Sequence, residues 1–139
     1  MNRRLLALLL FTALPSCSTV SHETPAREQT SPALTCPTHK FAFTQATGCR
    51  NDGSVEFCLP TGDAALLARV REIAPTVQPR GPSRGRAGCD AALETLYLFP
   101  TGDAECEAHH GALTPDAWGR LCRIAGLPGV REVVPTWFE

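Results

Sequence analysis

Cysteines constrain the fold of this chain more than any other residue type. The sequence has seven of them in 139 residues. Six lie after residue 35: Cys36, Cys49, Cys58, Cys89, Cys106 and Cys122. In an oxidising compartment, an even set like this is typical of a small domain held by disulfides, whereas in a reducing one it favours metal binding or catalysis. The compartment therefore decides how the six are interpreted, and the sequence leaves their connectivity open.

The N-terminal segment indicates the compartment. Arg3 and Arg4 give it a positive start, and residues 5–14 are apolar apart from Thr12. As a helix this run would be about 15 Å long, which is half of the ~30 Å hydrocarbon core of a bilayer. We therefore interpret residues 1–16 as a signal peptide that directs export and not as a membrane span.

The apolar run ends in Leu14-Pro15-Ser16-Cys17, which resembles the lipobox of bacterial lipoproteins. In that family an apolar residue and small residues precede an invariant cysteine, which is acylated and becomes the mature N-terminus. The resemblance implies that Cys17 carries the lipid, palmitate included. The next residue, Ser18, resembles the signal for sorting to the outer membrane, with the periplasmic or surface face left open. The alternative is an ordinary secretory signal cleaved near Ser16 or Ser18.

The cysteine count favours the lipoprotein. Acylation of Cys17 leaves six cysteines, which can form up to three disulfides. Without acylation one thiol would remain unpaired in an oxidising compartment. We therefore expect a cell-envelope protein that is anchored to the membrane by lipid and contains disulfides.

Residues 17–35 are expected to be the lipidated cysteine and a flexible tether. They are rich in Ser, Thr, Pro and charged residues and carry almost no apolar pattern, so they cannot bury enough surface to become ordered. A coil of this length reaches roughly 25 Å. We expect residues 36–139 to form one folded domain.

The domain contains an internal repeat, with units at about 48–79 and 88–137. The recurring segments are Gly48-Cys49 with Gly88-Cys89, Pro60-Thr61-Gly62-Asp63-Ala64 with Pro100-Thr101-Gly102-Asp103-Ala104, and Val70-Arg71-Glu72 with Val130-Arg131-Glu132. The second unit carries extra residues between Ala104 and Val130, and we call residues 103–113, where these extra residues begin, the insertion. A duplication of this kind predicts two similar supersecondary units.

Each unit has the pattern strand, turn, helix, strand. In residues 55–59 large apolar side chains alternate with Glu56 and Cys58, which is typical of a strand. Asp63 can cap the following helix, and residues 76–78 can begin a second strand. In the second unit, 93–99 and 130–134 are the predicted strands.

The helix of the second unit is predicted to start at Thr114-Pro115. It places Trp118 and Leu121 on its core-facing side and ends in a left-handed turn at Gly126.

Two such βαβ units predict an α+β domain of the ferredoxin-like plait type, stapled by disulfides. We expect an extra N-terminal strand at residues 40–46, which joins the plait through the turn Asn51-Asp52-Gly53. The alternative fold is an irregular α+β domain held together by disulfides.

Charge excludes some classes of partner. The chain has 13 Lys and Arg against 14 Asp and Glu, a formal net charge of −1. This balance is not that of a nucleic-acid-binding protein, so no nucleic-acid partner is predicted. A hydrophobic content of 43% also excludes a disordered chain.

A local basic stretch between the two units is the first candidate binding site. It carries Arg80, Arg84 and Arg86 among glycines and prolines. Guanidinium groups can bind the phosphates or carboxylates of a partner in a bidentate manner. The alternative interpretation is a solvated connection between strands.

A metal site in residues 103–110 is the second candidate. On a helix, Cys106 would lie near His109 or His110, and thiolate with imidazole suits Zn²⁺ or Cu²⁺. A disulfide at Cys106 would remove that thiolate, and a solvated helical turn is the alternative.

Catalytic motifs such as a nucleophile elbow, a zincin helix or a P-loop do not occur. We therefore predict no enzyme and no cofactor. The leading hypothesis is a lipid-anchored module that binds an envelope protein or polymer through the arginines or the 103–113 insertion. Metal binding or delivery is the alternative function.

Overall fold

The computed structural model describes residues 35–137. The predictions for the signal peptide, for Cys17 and for most of the tether lie outside these residues. The described elements are short 3₁₀ turns at Thr38–Lys40 and Gln45–Thr47, strands β1 (Ser54–Pro60), β2 (Gln78–Gly81), β3 (Glu94–Pro100) and β4 (Val134–Pro135), and helices α1 (Ala64–Ile73) and α2 (Pro115–Ala125). The mixed α and β content that the sequence predicts is confirmed.

One antiparallel sheet contains all four strands, in the order β2-β3-β1-β4. The two long strands form its centre, with Val55 opposite Phe99 and Phe57 opposite Tyr97. The short strand β4 lies at one edge and ends in Pro135, a residue that lacks the N–H needed to extend a ladder.

Both helices begin at the caps that the sequence predicts. The Asp63 carboxylate accepts a hydrogen bond from Leu66 N at 2.9 Å, and the Thr114 hydroxyl oxygen accepts one from Ala117 N at 3.2 Å. Each bond satisfies a backbone N–H that has no partner within the helix. The helices contact each other, and both belong to the main core.

The predicted end of α2 is wrong in its conformation. Gly126 has a φ of −72°, in the right-handed region. The glycine with positive φ is Gly129, at 91°. The side chain of Lys40 explains how the helix end is satisfied, because its Nζ donates hydrogen bonds to Ala125 O at 2.8 Å and to Val130 O at 2.7 Å. A left-handed glycine cap is therefore not needed at Gly126.

The predicted strand at residues 40–46 is also wrong. The segment overlaps two 3₁₀ turns, at Lys40 and from Gln45 onward, and makes a single parallel bridge, between Phe41 and Val133. Thr44 and Thr47 favour the turn, since the backbone N–H of Thr44 donates to the Thr47 hydroxyl at 3.1 Å. The strand predicted at residues 130–134 is shorter in the structure, where only Val134–Pro135 pairs with the sheet. The backbone of Val133 instead forms hydrogen bonds with the backbone of Lys40 and Ala42.

Two apolar clusters lie on the two faces of β1. Val55, Phe57 and Leu59 belong to the main core with both helices. Cys58 belongs to a smaller cluster on the other face, together with Ala87, Cys89, Leu96 and Val134. The alternation in the sequence therefore assigns the two faces correctly. It does not reveal that both are buried, because the cover of the second face comes from a later loop.

Three disulfides connect the six cysteines. The pairs are Cys36–Cys122, Cys49–Cys106 and Cys58–Cys89, with sequence separations of 86, 57 and 31 residues. The predicted set of three bonds is confirmed, and the structure supplies the connectivity that the sequence leaves open.

Candidate functional site

The arginine loop, which we define as residues 80–89, starts in the last two residues of β2 and leads towards β3. It folds back across the second face of the sheet, and Gly85 and Gly88 take the positive φ values that its turns require, 54° and 65°. The backbone N–H of Cys89 donates to Arg84 O at 2.7 Å and closes the loop on itself. The loop is therefore a compact turn rather than an extended connection.

A buried carboxylate holds the loop to the sheet. Glu56, on β1, is only 3% exposed. Its Oε1 accepts hydrogen bonds from the backbone N–H of Arg86 and, at 2.8 Å, from that of Ala87. Its Oε2 accepts a long bond from the Thr136 hydroxyl at 3.5 Å. Burial of a carboxylate is costly unless its oxygens are paired, so the loop and Glu56 stabilise each other.

A disulfide is the second connection between the loop and β1. Cys58 and Cys89 are each 3% exposed, and their Cα atoms are 5.5 Å apart. The bond lies in the small cluster next to Ala87. Covalent and hydrogen-bonded links thus hold the same short stretch, residues 86–89, against one strand.

The fixed loop presents all three predicted arginines at the surface. Arg80, Arg84 and Arg86 are exposed, while Ala87 and Cys89, which follow Arg86, are buried. Because the backbone is already ordered, a partner that binds these guanidinium groups does not have to order the loop first. The structure thus places the three predicted binding residues at the surface, with Arg80 at the end of β2 and Arg84 and Arg86 in the turn that follows.

Replacing Glu56 tests the anchoring of this loop. We expect Glu56→Ala to lower the free energy of unfolding by about 2–4 kcal/mol, because two buried backbone N–H groups lose their acceptor. Glu56→Gln places an amide oxygen where a carboxylate oxygen was and should lower the free energy of unfolding by about 1 kcal/mol. Urea unfolding of both variants measures the difference. Equal stability of the alanine variant and the original protein would show that the carboxylate does not hold the loop.

The second candidate region, residues 103–113, contains turns instead of the predicted helix. The backbone of Cys106 forms an isolated antiparallel β-bridge with Leu113, and His110 has a φ of 58°. The helical spacing that would place Cys106 beside the histidines is therefore wrong. The rings of His109 and His110 contact each other, with centroids 3.8 Å apart, and both side chains are exposed.

The insertion borders a cavity of about 270 Å³. Its lining consists of Cys49, Asn51, Gly53, Thr101, Gly102, Asp103, Cys106, His109 and His110. Cys106 is bonded to Cys49, so its sulfur is not a thiolate and cannot act as the predicted metal ligand in this form. The buried Asn51 amide is already paired, because its oxygen accepts from Thr101 Oγ1 and its nitrogen donates to Gly48 O.

Within residues 35–137, the ligand atoms of one group of three metal-binding residues lie within 4.8 Å of one another: Cys58, Cys89 and Glu94. Both cysteines of the group are in a disulfide. Glu94 Oε2 accepts hydrogen bonds from Asp90 N at 2.7 Å and from Arg131 at 2.6 Å. The group is therefore occupied by structural interactions in the oxidised protein.

Sequence reasoning missed a third region, which we call the aromatic surface and define as Phe41, Phe43 and Trp118. The three rings are half-buried and contact one another, with centroid distances of 4.8 Å (Phe41–Trp118), 5.3 Å (Phe41–Phe43) and 6.2 Å (Phe43–Trp118). Trp118 is predicted to pack in the core but lies at its margin. The spacing of Phe41 and Phe43 is the available signal in the sequence, and both lie in the segment that is predicted to be a strand.

Two open clefts meet at Trp118. One of about 470 Å³ is lined by Cys36, Pro115, Asp116, Trp118, Gly119, Cys122 and Arg123, and one of about 360 Å³ by Thr38, Phe41, Ala42, Phe43, Thr44 and Trp118. Asp116 forms an ion pair with Arg120 at 2.9 Å. The indole ring is thus accessible from both sides of a partly apolar surface.

None of the helices in the described part of the chain is both long enough and apolar enough to cross a bilayer. Comparison of the chain with protein-family models, with curated proteins and with solved structures finds no match. The interpretation of its function therefore rests on its own residues and geometry.

Proposed function

We propose that this protein is a non-enzymatic, lipid-anchored module of the cell envelope that binds an anionic envelope protein or polymer through the arginine loop. The observation that carries the proposal is the anchoring of this loop. Glu56 and the Cys58–Cys89 disulfide hold its backbone in place, and Arg84 and Arg86 project beside those anchors. Guanidinium groups on a pre-ordered backbone suit partners that carry phosphates or carboxylates.

The lipid anchor at Cys17 is part of this proposal. Its support is the resemblance of Leu14-Pro15-Ser16-Cys17 to a lipobox and the pairing of the six other cysteines in three disulfides. The disulfides agree with an oxidising compartment, and acylation would account for the seventh cysteine. We place the protein at the outer membrane on the basis of Ser18.

We propose that the fold is a ferredoxin-like plait that arose from two βαβ units. The strand order β2-β3-β1-β4 with antiparallel neighbours is the order that two such units produce when they interleave. The repeated Pro-Thr-Gly-Asp segments begin at the ends of β1 and β3. Asp63 caps α1, whereas Asp103 is followed by the insertion and α2 is capped by Thr114.

The arginine pair is the test of the binding function. We expect Arg84→Ala/Arg86→Ala to abolish most crosslinking between the protein and its partner in intact cells. The variant Arg84→Lys/Arg86→Lys should retain part of it, because lysine keeps the charge but not the bidentate geometry. The measurement is the yield of crosslinked complexes on a denaturing gel.

A matched control uses two exposed arginines of α1. Arg69→Ala/Arg71→Ala removes the same charge from another surface and should leave crosslinking unchanged. Equal loss in both double variants would indicate a bulk charge effect. Unchanged crosslinking in the loop variant would contradict the proposed binding role.

Metal binding or delivery remains the alternative function, because the rings of His109 and His110 contact each other and both residues line the same cavity as Cys106. It requires the Cys49–Cys106 bond to be reduced, since a disulfide sulfur is a poor ligand. Alkylation of the natively purified protein without reductant distinguishes metal binding from the proposed binding module. Labelled Cys106 would favour the metal site, and unlabelled Cys106 would favour the binding module.

A further inference from the structure

The aromatic surface lies beside the point where the tether joins the folded domain. The described chain begins at Thr35, and the next residue, Cys36, is bonded to Cys122 on α2 with a Cα–Cα distance of 4.8 Å. Trp118 lies four residues before Cys122, one helical turn away on the same helix. Both cysteines and Trp118 line one cleft. The disulfide therefore fixes the end of the tether next to the indole ring.

The chemistry of this region suits a membrane–water interface. Its centre consists of the half-buried rings of Phe41, Phe43 and Trp118. Arg123, at its margin, is exposed, and the charge of Asp116 is balanced by the ion pair with Arg120. Indole rings favour the level of the lipid headgroups, and a cationic margin is attracted to anionic lipids.

We propose that the aromatic surface docks on the bilayer that holds the acyl chains of Cys17, with Trp118 at the headgroup level. This inference rests on the proposed lipid anchor. A flexible coil of the length of the predicted tether would span roughly 25 Å and would hold the domain at a high effective concentration near the membrane, where a weak interfacial contact is sufficient. Docking would give the domain one orientation, because Cys36, the first residue of the domain after the tether, lines the same cleft as Trp118.

Fluorescence quenching tests the proposal directly, because the chain has two tryptophans. In Trp137→Phe, the natively processed protein has Trp118 as its single indole. We place it in phosphatidylcholine vesicles that contain phosphatidylglycerol and lipids brominated near the top of the acyl chains. The expected result is strong quenching and a blue shift of Trp118 emission. No quenching in a protein that floats with the vesicles would overturn docking and leave the lipid anchor intact.

The matched control is Trp118→Phe, which leaves Trp137, a 43% exposed residue that is not part of the aromatic surface. We expect much weaker quenching there, and equal quenching of the two tryptophans would contradict a defined orientation. Arg123→Glu in the Trp137→Phe background alters only the exposed margin and should also reduce the quenching of Trp118. The absence of alkylation at the six paired cysteines without reductant verifies that the three disulfides of each variant are intact.

The unlipidated full chain separates this proposal from the anchor. With Cys17→Ser in the Trp137→Phe background, docking depends on the aromatic surface alone and should require a much higher lipid concentration. At that concentration Trp118 should still be quenched, and Phe43→Ser should weaken the apparent affinity about tenfold, the change expected from losing one partly buried aromatic ring. If wild-type protein fails to float but the unlipidated chain is quenched, the anchor fails and docking stands. No quenching at any lipid concentration overturns docking.

Discussion

Joint replacement of Cys36 and Cys122 by alanine is expected to lower the free energy of unfolding by about 4 kcal/mol. The bond closes a loop between residues 86 positions apart, so its loss greatly increases the conformational freedom of the unfolded chain. The bond also fastens the segment before β1 to α2. Lys40, which belongs to this segment, donates a hydrogen bond to Ala125 O at the end of the same helix. Urea unfolding of the oxidised protein at fixed pH measures the loss.

The double substitution is needed because a single cysteine variant would leave a thiol able to exchange with the other two disulfides. Cys36→Ser/Cys122→Ser serves as the control for lost packing, since serine has nearly the size of cysteine but cannot form the bond. A similar large loss in both double variants would assign the effect to the crosslink. A loss below about 1 kcal/mol in the alanine variant would contradict a major role for this bond, because chain entropy alone predicts more.

Local features of the fold were predictable from the sequence because they depend on neighbouring residues. Asp63 and Thr114 cap the helices as expected, since a cap needs only a side-chain oxygen two or three residues before a free backbone N–H. The central strands were predictable from apolar patterning over a few residues. The presence of disulfides followed from an even set of cysteines after a predicted export signal.

Features that depend on distant residues were not predictable. The burial of Glu56 is set by amides 30 and 31 positions later in the chain, and an acidic residue in an alternating strand otherwise indicates a solvent-facing position. The conformation of residues 40–46 depends on Thr44–Thr47 bonds and on Val133. Each of these outcomes required knowledge of which segments meet in space.

The candidate sites show the same difference between features set by neighbouring residues and features set by distant ones. The sequence identified the arginine loop because its composition is local, and the structure added the anchors that give it a fixed shape. The helix pattern placed Trp118 on the apolar face of α2, but an apolar stripe does not define where the core ends. The aromatic surface became visible only when Phe41 and Phe43 were seen beside that face.

Cys17→Ser is expected to transfer almost all of the protein from the membrane fraction to the soluble fraction of the envelope. Several acyl chains give stable anchoring, since each buried CH₂ contributes about 0.8 kcal/mol, whereas the aromatic surface alone gives a weak and reversible contact. Cell fractionation measures the distribution, and incorporation of labelled palmitate measures acylation. The original protein should contain the label, and the serine variant should not.

Intact mass supplies the control for this experiment. In the natively processed protein, we expect an acylated N-terminal Cys17 and six cysteines that react with an alkylating reagent only after reduction. A conservative change beside the cleavage site, Ser16→Ala, keeps a small residue and should preserve both acylation and membrane location. A Cys17→Ser variant that stayed in the membrane fraction at high salt would contradict the lipid anchor. In that case cleavage near Ser16 or Ser18 by the ordinary secretory route would be favoured, and the attachment would have to come from the folded domain.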